Sequence, residues 1–222
     1  RLWPFGSRKT SIEKKQTWSL WLKVVIGCVP AGLVGVIGDK ILEKISGKSI
    51  DGWLYNAVVV AIALIVYGVA FILIEKLKKP DSERIHSTAE LDCRTALLIG
   101  LFQMLSIIPG TSRSGSTILG AMLLGLSRTA AAEFSFFMAI PVMVGASGVK
   151  VLGFASYLSE SGTSLPAVAW GALAIGCVVS FAVSMVVIRF LMDFVKRHSF
   201  SAFGYYRIAL GVLVLLYFGL VK

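Results

Sequence analysis

Long apolar runs alternate with short polar or charged segments along this chain, and the lengths of the runs are those of membrane-crossing elements. A helix rising 1.5 Å per residue needs about 20 apolar residues to cross a hydrocarbon core about 30 Å thick. Trp18–Gly38, Trp53–Ile74, Glu133–Leu158, Pro166–Met192 and Phe203–Val221 reach that length and predict membrane spans. Trp18 and Trp21 sit where interfacial aromatics belong, and Lys23 is near enough to the end of its run to snorkel. Pro30 and Pro141 predict kinks of the kind membrane helices tolerate. The stretch Thr95–Leu126 departs from the pattern. Its two apolar runs, Thr95–Ile108 and Ser116–Leu126, are each too short to cross. They flank Pro109-Gly110-Thr111-Ser112-Arg113-Ser114-Gly115, which predicts a re-entrant hairpin over 95–126 that enters and leaves by one face.

Composition agrees with this layout. Of 222 residues, 56% are hydrophobic and 15% charged, with a mean hydropathy of +0.82, whereas soluble domains carry about 25% charged residues. The expected fold is an all-α polytopic membrane protein forming a single membrane domain over 1–222. The net charge of +10 is explained by loop cations. No basic stripe interleaves with aromatics, so nucleic acid is excluded as a partner. If residues 1–17 are cytoplasmic and the hairpin returns to its own side, the cytoplasmic segments hold Arg1, Arg8, Lys9, Lys14, Lys15, Lys76, Lys78, Lys79, Arg84, Arg94, Arg128, Lys196 and Arg197. The outer loops hold Lys40, Lys44, Lys48 and Glu160, so the layout obeys the positive-inside rule. Cys28, Cys93 and Cys177 are widely separated and read as small apolar fillers, not as a disulfide framework or zinc site. One broken unit flanked by two helix pairs fits half of an internally duplicated fold, whose partner unit would lie before Arg1.

Arg113 carries the chemistry. An ionised group at membrane depth costs roughly 2.5–3.5 kcal/mol even on the lenient insertion scale, and apolar runs flank this one on both sides. Thr111, Ser112 and Ser114 bring three hydroxyls beside it, and Gly110 and Gly115 let the backbone approach a ligand. A helix resuming at about Gly115 would aim its free N–H groups at the same spot, which favours an anion. Together these groups make an oxyanion site. The competing reading is a structural ion pair for Arg113 with a buried acid, and a capping role for Ser112 or Ser114. Gln103, polar within an apolar run, either orients a water or ligand or bonds a neighbouring helix. Glu133, at the start of its predicted span, either serves the site or simply sits at a helix N-terminus, where an acid needs no function. His86 and His198 fall in polar segments without metal-ligand spacing, and no G-x-x-x-x-G-K loop for nucleotide occurs.

The run Gly100-Leu-Phe-Gln-Met-Leu-Ser-Ile-Ile-Pro-Gly-Thr-Ser-Arg-Ser-Gly-Ser-Thr, followed by Gly125-Leu-Ser-Arg-Thr-Ala-Ala-Ala-Glu-Phe-Ser-Phe, closely resembles the bacterial undecaprenyl-diphosphatase family associated with bacitracin resistance. That resemblance implies a multi-pass enzyme of the bacterial plasma membrane with inverted repeats. It would release phosphate from undecaprenyl diphosphate and so recycle the lipid carrier of cell-wall synthesis. Carried over, Arg113, Ser112, Thr111 and Ser114 are the catalytic residues, with Gly110, Gly115 and Gln103 at the substrate. The resemblance also implies a divalent metal, Mg or Ca, whose acidic ligands belong to an N-terminal motif absent from this sequence. The opening Arg1-Leu-Trp is similar to the family's loop after the first repeat, so a fragment is expected. A homodimer is compatible with the resemblance. The alternative function is a transporter or flippase of polyprenyl phosphate, since broken helices meeting in the membrane also suit transport. An anion channel fits less well, having one arginine and no ring of charge.

Overall fold

The computed structural model describes residues 10–38, 56–77, 83–162 and 166–220, together with Ile41, Lys44 and Leu54. Arg1, Arg8, Lys9, Lys40, Lys48, Trp53, Lys78, Lys79 and Val221 lie outside the described residues, as do the side chains of Lys196 and Arg197. Everything regular among the described residues is helical. In chain order the helices are α1 (Ser11–Leu33, continued by a π-helical segment Val34–Gly38), α2 (Ala57–Leu77), α3 (Cys93–Met104, with a 3-10 turn Leu105–Ile107), α4 (Arg113–Leu123), α5 (Arg128–Ser161), α6 (Ala167–Arg197) and α7 (Ser201–Leu220). Four of them, at Ala57–Leu77, Arg128–Ser161, Ala167–Val195 and Ser201–Leu220, are long and apolar enough to cross a membrane. The chain is therefore an all-α, multi-pass membrane protein.

Helix starts follow their caps. Thr10 and Glu13 form a reciprocal capping box: Glu13 Oε2 accepts from the Thr10 N–H at 2.8 Å, and Thr10 Oγ1 accepts from the Glu13 N–H at 3.4 Å. This box starts α1 seven residues before Trp18, and its polar first turns are why α1 is less apolar than the other long helices. Asn56 Oδ1 accepts from the Val58 N–H at 2.7 Å at the head of α2, and Asp92 Oδ1 accepts from the Thr95 N–H at 2.9 Å at the head of α3. Pro30 lies inside α1, which stays regular to Leu33 and continues as a π-helical segment from Val34. Lys23 is buried, not free to snorkel, and its Nζ donates to the Ala89 carbonyl at 3.3 Å.

One compact unit holds residues 1–139 and 199–222, and it positions the site. In it α1 crosses α3 and α2 pairs with α7. A Cβ on Gly100 would fall 2.2 Å from the Gly27 carbonyl oxygen, so α1 and α3 touch backbone to backbone. Gly204 meets Gly68 while Gly211, two turns on, meets Ala61, so α2 and α7 run antiparallel. Small residues allow this close packing where apolar contact alone does not distinguish helix from lipid. One end of the unit is tied by Glu75 at the end of α2. Its nearly buried carboxylate pairs with Arg128 at 2.5 Å and accepts from the Phe200 N–H at 2.9 Å. The second unit, 140–198, holds the remainder of α5 and α6, and α6 exposes the large apolar side chains of Val168, Trp170, Phe181 and Phe190. Cys93 and Cys177 are exposed and so do not fill apolar space; all three cysteines are free thiols.

Candidate active site

The segment between α3 and α4 is held by its glycine and its cap. Gly110 has φ +89°, and a Cβ there would fall 2.5 Å from the Val60 carbonyl oxygen of α2. Both the left-handed backbone and the close approach demand glycine. Ser112 is the N-cap of α4 and accepts from the Gly115 N–H at 3.2 Å, so the helix begins at Arg113, two residues before the expected start. Capping leaves the Ser112 hydroxyl proton free to serve elsewhere, since a hydroxyl both accepts and donates. Its oxygen lies 3.1 Å from Ser114 Oγ. Gly115 rests against Phe71 of α2, a Cβ there lying 3.4 Å from the ring. The loop thus runs along α2 from Val60 to Phe71.

Arg113 is the first residue of α4, half-buried, and its guanidinium has no ion-pair or hydrogen-bond partner among the described residues. The structural ion pair weighed above is therefore not formed among them. Thr111 is buried, and its hydroxyl oxygen is one of two buried side-chain polar atoms without a partner among the described residues. Such an atom costs about 1–3 kcal/mol unless something completes it. The other is Arg207 Nη1 on α7. The Arg207 guanidinium carbon stands 6.0 Å from the centre of the Phe71 ring, the same ring that backs Gly115. The Phe71 ring thus stands between the first turn of α4, at Gly115, and a second guanidinium on α7. Sequence reasoning missed Arg207, although a cation inside the apolar run 203–221 was the available signal.

Gln103 is buried on α3, where its backbone carbonyl accepts from the Ser106 hydroxyl at 2.6 Å. Its side chain makes no hydrogen bond to the loop among the described residues. Glu133 does not open a helix: α5 starts at Arg128, so the acid lies inside it, half-buried. His86 is exposed at 4.0 Å from Glu83, and His198 is exposed, with its ring stacked on Phe194 at 4.3 Å. Neither joins the loop. Below the loop, Thr117 and Ser135 share a buried hydrogen bond between α4 and α5.

No group of three His, Cys, Asp or Glu side chains comes together among the described residues, and the groups around the loop are anion ligands, not cation ligands. These residues do not fit a metal ion. What they can do is bind and neutralise a phosphate oxygen, by charge from Arg113 and by hydroxyl and amide donors.

Comparison with known proteins agrees with this chemistry. The family model described as "Bacitracin resistance protein BacA" matches residues 2–213. An undecaprenyl-diphosphatase of Enterococcus faecalis is 49% identical over 212 residues, covering 96% of this chain and 71% of that protein. Undecaprenyl-diphosphatase 1 of Clostridioides difficile is 49% identical over 218 residues, covering 98% of this chain and 73% of its own length. The Streptococcus mutans protein of the same name is 49% identical over all 222 residues and 74% of its length. With the family's match extending over nearly every residue that builds the fold and the loop, the chain belongs to the bacitracin resistance protein BacA family.

Proposed function

We propose that this chain is a membrane phosphatase that hydrolyses undecaprenyl diphosphate to undecaprenyl phosphate and inorganic phosphate, recycling the lipid carrier of cell-wall synthesis and conferring resistance to bacitracin. The observation that carries the reading is Arg113 at the N-terminus of α4 without an ion-pair partner among the described residues, beside the unpartnered Thr111 hydroxyl. The net reaction consumes one water: the bond between the terminal phosphorus and the bridging oxygen is broken, and the water's oxygen and protons are shared between the two phosphate products. Phosphoryl transfer depends mainly on positioning and on charge stabilisation at the phosphate oxygens. Arg113 supplies positive charge to those oxygens, and Thr111, Ser112 and Ser114 donate hydrogen bonds. Gly110 and Gly115 press the loop and the first turn of α4 against α2, which leaves the opposite side of that backbone to the diphosphate, and Gln103 on α3 belongs to the same proposed substrate site.

Gly110 meets α2 at Val60, one turn from the end where that helix begins. The charge pattern of the loops supports this as the outer side, and access from outside the cell is part of the same proposal. The membrane is the bacterial plasma membrane, and a homodimer within it is part of the same proposal. A transporter of polyprenyl phosphate is the second reading, since the site recognises the headgroup either way. Phosphate release from undecaprenyl diphosphate by the purified protein in detergent separates the two. Release that saturates with lipid supports the phosphatase. Lipid transfer between leaflets of a vesicle with no release of phosphate would replace it by the transporter.

A further inference from the structure

We infer that Ser135 on α5 is a positioning residue for Arg113, acting through Thr117; this rests on the phosphatase reading for its kinetic consequence but not for its structural one. Thr117 is 1% exposed and Ser135 6% exposed, so neither hydroxyl has water to fall back on. Thr117 Oγ1 lies 3.1 Å from the Arg113 carbonyl oxygen, 3.0 Å from the Ser114 carbonyl oxygen and 2.5 Å from Ser135 Oγ. A hydroxyl carries one proton. If Thr117 donated to Ser135, neither carbonyl would receive the hydroxyl proton, and the Ser135 proton would have no acceptor among the described residues. The opposite polarity satisfies every group. Ser135 donates to Thr117 Oγ1, and Thr117 donates to the two carbonyls of the first turn of α4.

Arg113 and Ser114 are therefore held twice, once by the helix ladder and once by a hydroxyl relay anchored in a different helix. Hydroxyls that bond back to carbonyls three and four residues earlier tilt the turn they bond to. Here that turn presents Arg113 and the helix N-terminus to the loop. Its direction is set by α5, through one serine that touches neither phosphate nor loop. Hydrogen bonds in a dry interior polarise one another, so the relay is stiffer than its links taken singly.

The test compares wild type, Ser135→Ala, Ser135→Thr and Thr117→Val, each purified in detergent. Two measurements are made: amide hydrogen exchange along the chain, and phosphate release from undecaprenyl diphosphate. Ser135→Ala is expected to speed exchange of the α4 amides around 113–118 by about tenfold, the equivalent of one net buried hydrogen bond. Exchange in α7 stays unchanged, and kcat falls by about tenfold with KM moving less. Ser135→Thr, which keeps the hydroxyl, restores both, and Thr117→Val reproduces the loss with no change of shape. Equal exchange and equal kcat in wild type and Ser135→Ala would overturn the assignment. So would faster exchange everywhere, which marks general destabilisation. If neither wild type nor a version extended at its N-terminus releases phosphate with divalent metal present, the phosphatase reading fails, and the exchange data still decide the positioning role. If Ser135→Ala does not fold, Thr117→Val decides in the same way.

Discussion

Replacing Arg113 by alanine separates binding chemistry from structural support. The guanidinium has no carboxylate partner among the described residues and is only half-buried. Its removal therefore strands no buried acid. Alanine is also the better helix former by a few tenths of a kcal/mol. The expected change in stability is within about 0.5 kcal/mol, the range of surface substitutions. Catalysis behaves differently. A guanidinium holding a phosphate by two charge-assisted hydrogen bonds contributes about 1.5–3 kcal/mol through each. Loss of both predicts a fall in kcat/KM of about 10²–10⁴-fold, at 1.36 kcal/mol per factor of ten. Arg113→Lys keeps the charge but not the planar fork, and should lose about 10–10²-fold. The assay is colorimetric phosphate release from undecaprenyl diphosphate in detergent. Rates are normalised to the monodisperse fraction from size-exclusion chromatography, with melting followed by tryptophan fluorescence. An Arg113→Ala protein that hydrolyses within threefold of wild type would refute the reasoning. A variant that melts several degrees lower would show instead that Arg113 holds the fold.

Gly110→Ala adds a Cβ to a left-handed backbone against the Val60 carbonyl oxygen, at a cost of about 2–5 kcal/mol; thermal melting should show the drop and phosphate release should vanish with it. Arg128→Gln should destabilise more than Glu75→Gln, because it leaves the 4%-exposed Glu75 carboxylate charged without its partner, whereas Glu75→Gln leaves a 44%-exposed arginine that water can serve; equal melting shifts would contradict this. Hydrogen bonds from the Thr95 side chain and backbone hold the Asp92 carboxyl below its ordinary value. A depressed folded pKa means that its contribution is present above the unfolded pKa and is lost as pH falls through the folded one. Asp92→Asn should therefore exchange amides at the head of α3 faster than wild type at neutral pH, with the difference closing in acid below the usual aspartate range; a pH-independent gap would contradict the linkage. If the divalent metal implied by resemblance is required, chelation should abolish phosphate release and Mg or Ca should restore it, while undiminished release in chelator would remove the metal from the reaction.

Much of the architecture was legible because its causes are local. The uncharged run 53–74 appears as α2 at Ala57–Leu77, and Pro109 and Gly110 mark the interruption between α3 and α4. Helix starts were less legible, since a single cap moves them. Ser112 brings α4 forward to Arg113, and Thr10 with Glu13 carries α1 well before its apolar run. In the site, the loop residues could be listed from sequence because they are consecutive. Glu75, Thr117, Ser135 and Arg207 could not be, because each gains its meaning from a partner on another helix. Pattern reading sees the polarity of such a residue but not what stands opposite it.

The pairing of α2 with α7 bears on how the protein is made. Gly68 locks against Gly204, and Glu75 accepts from Phe200, 125 residues further along the chain. A ribosome delivers α2 to the membrane long before α7 exists, so α2 waits in lipid without the neighbour its small residues were shaped for. The wall behind Gly110 and Gly115 is α2 itself. Assembly of the phosphate loop is thus gated by α7, and a nascent chain stalled before residue 201 would carry every residue of the loop without the helix that braces its wall.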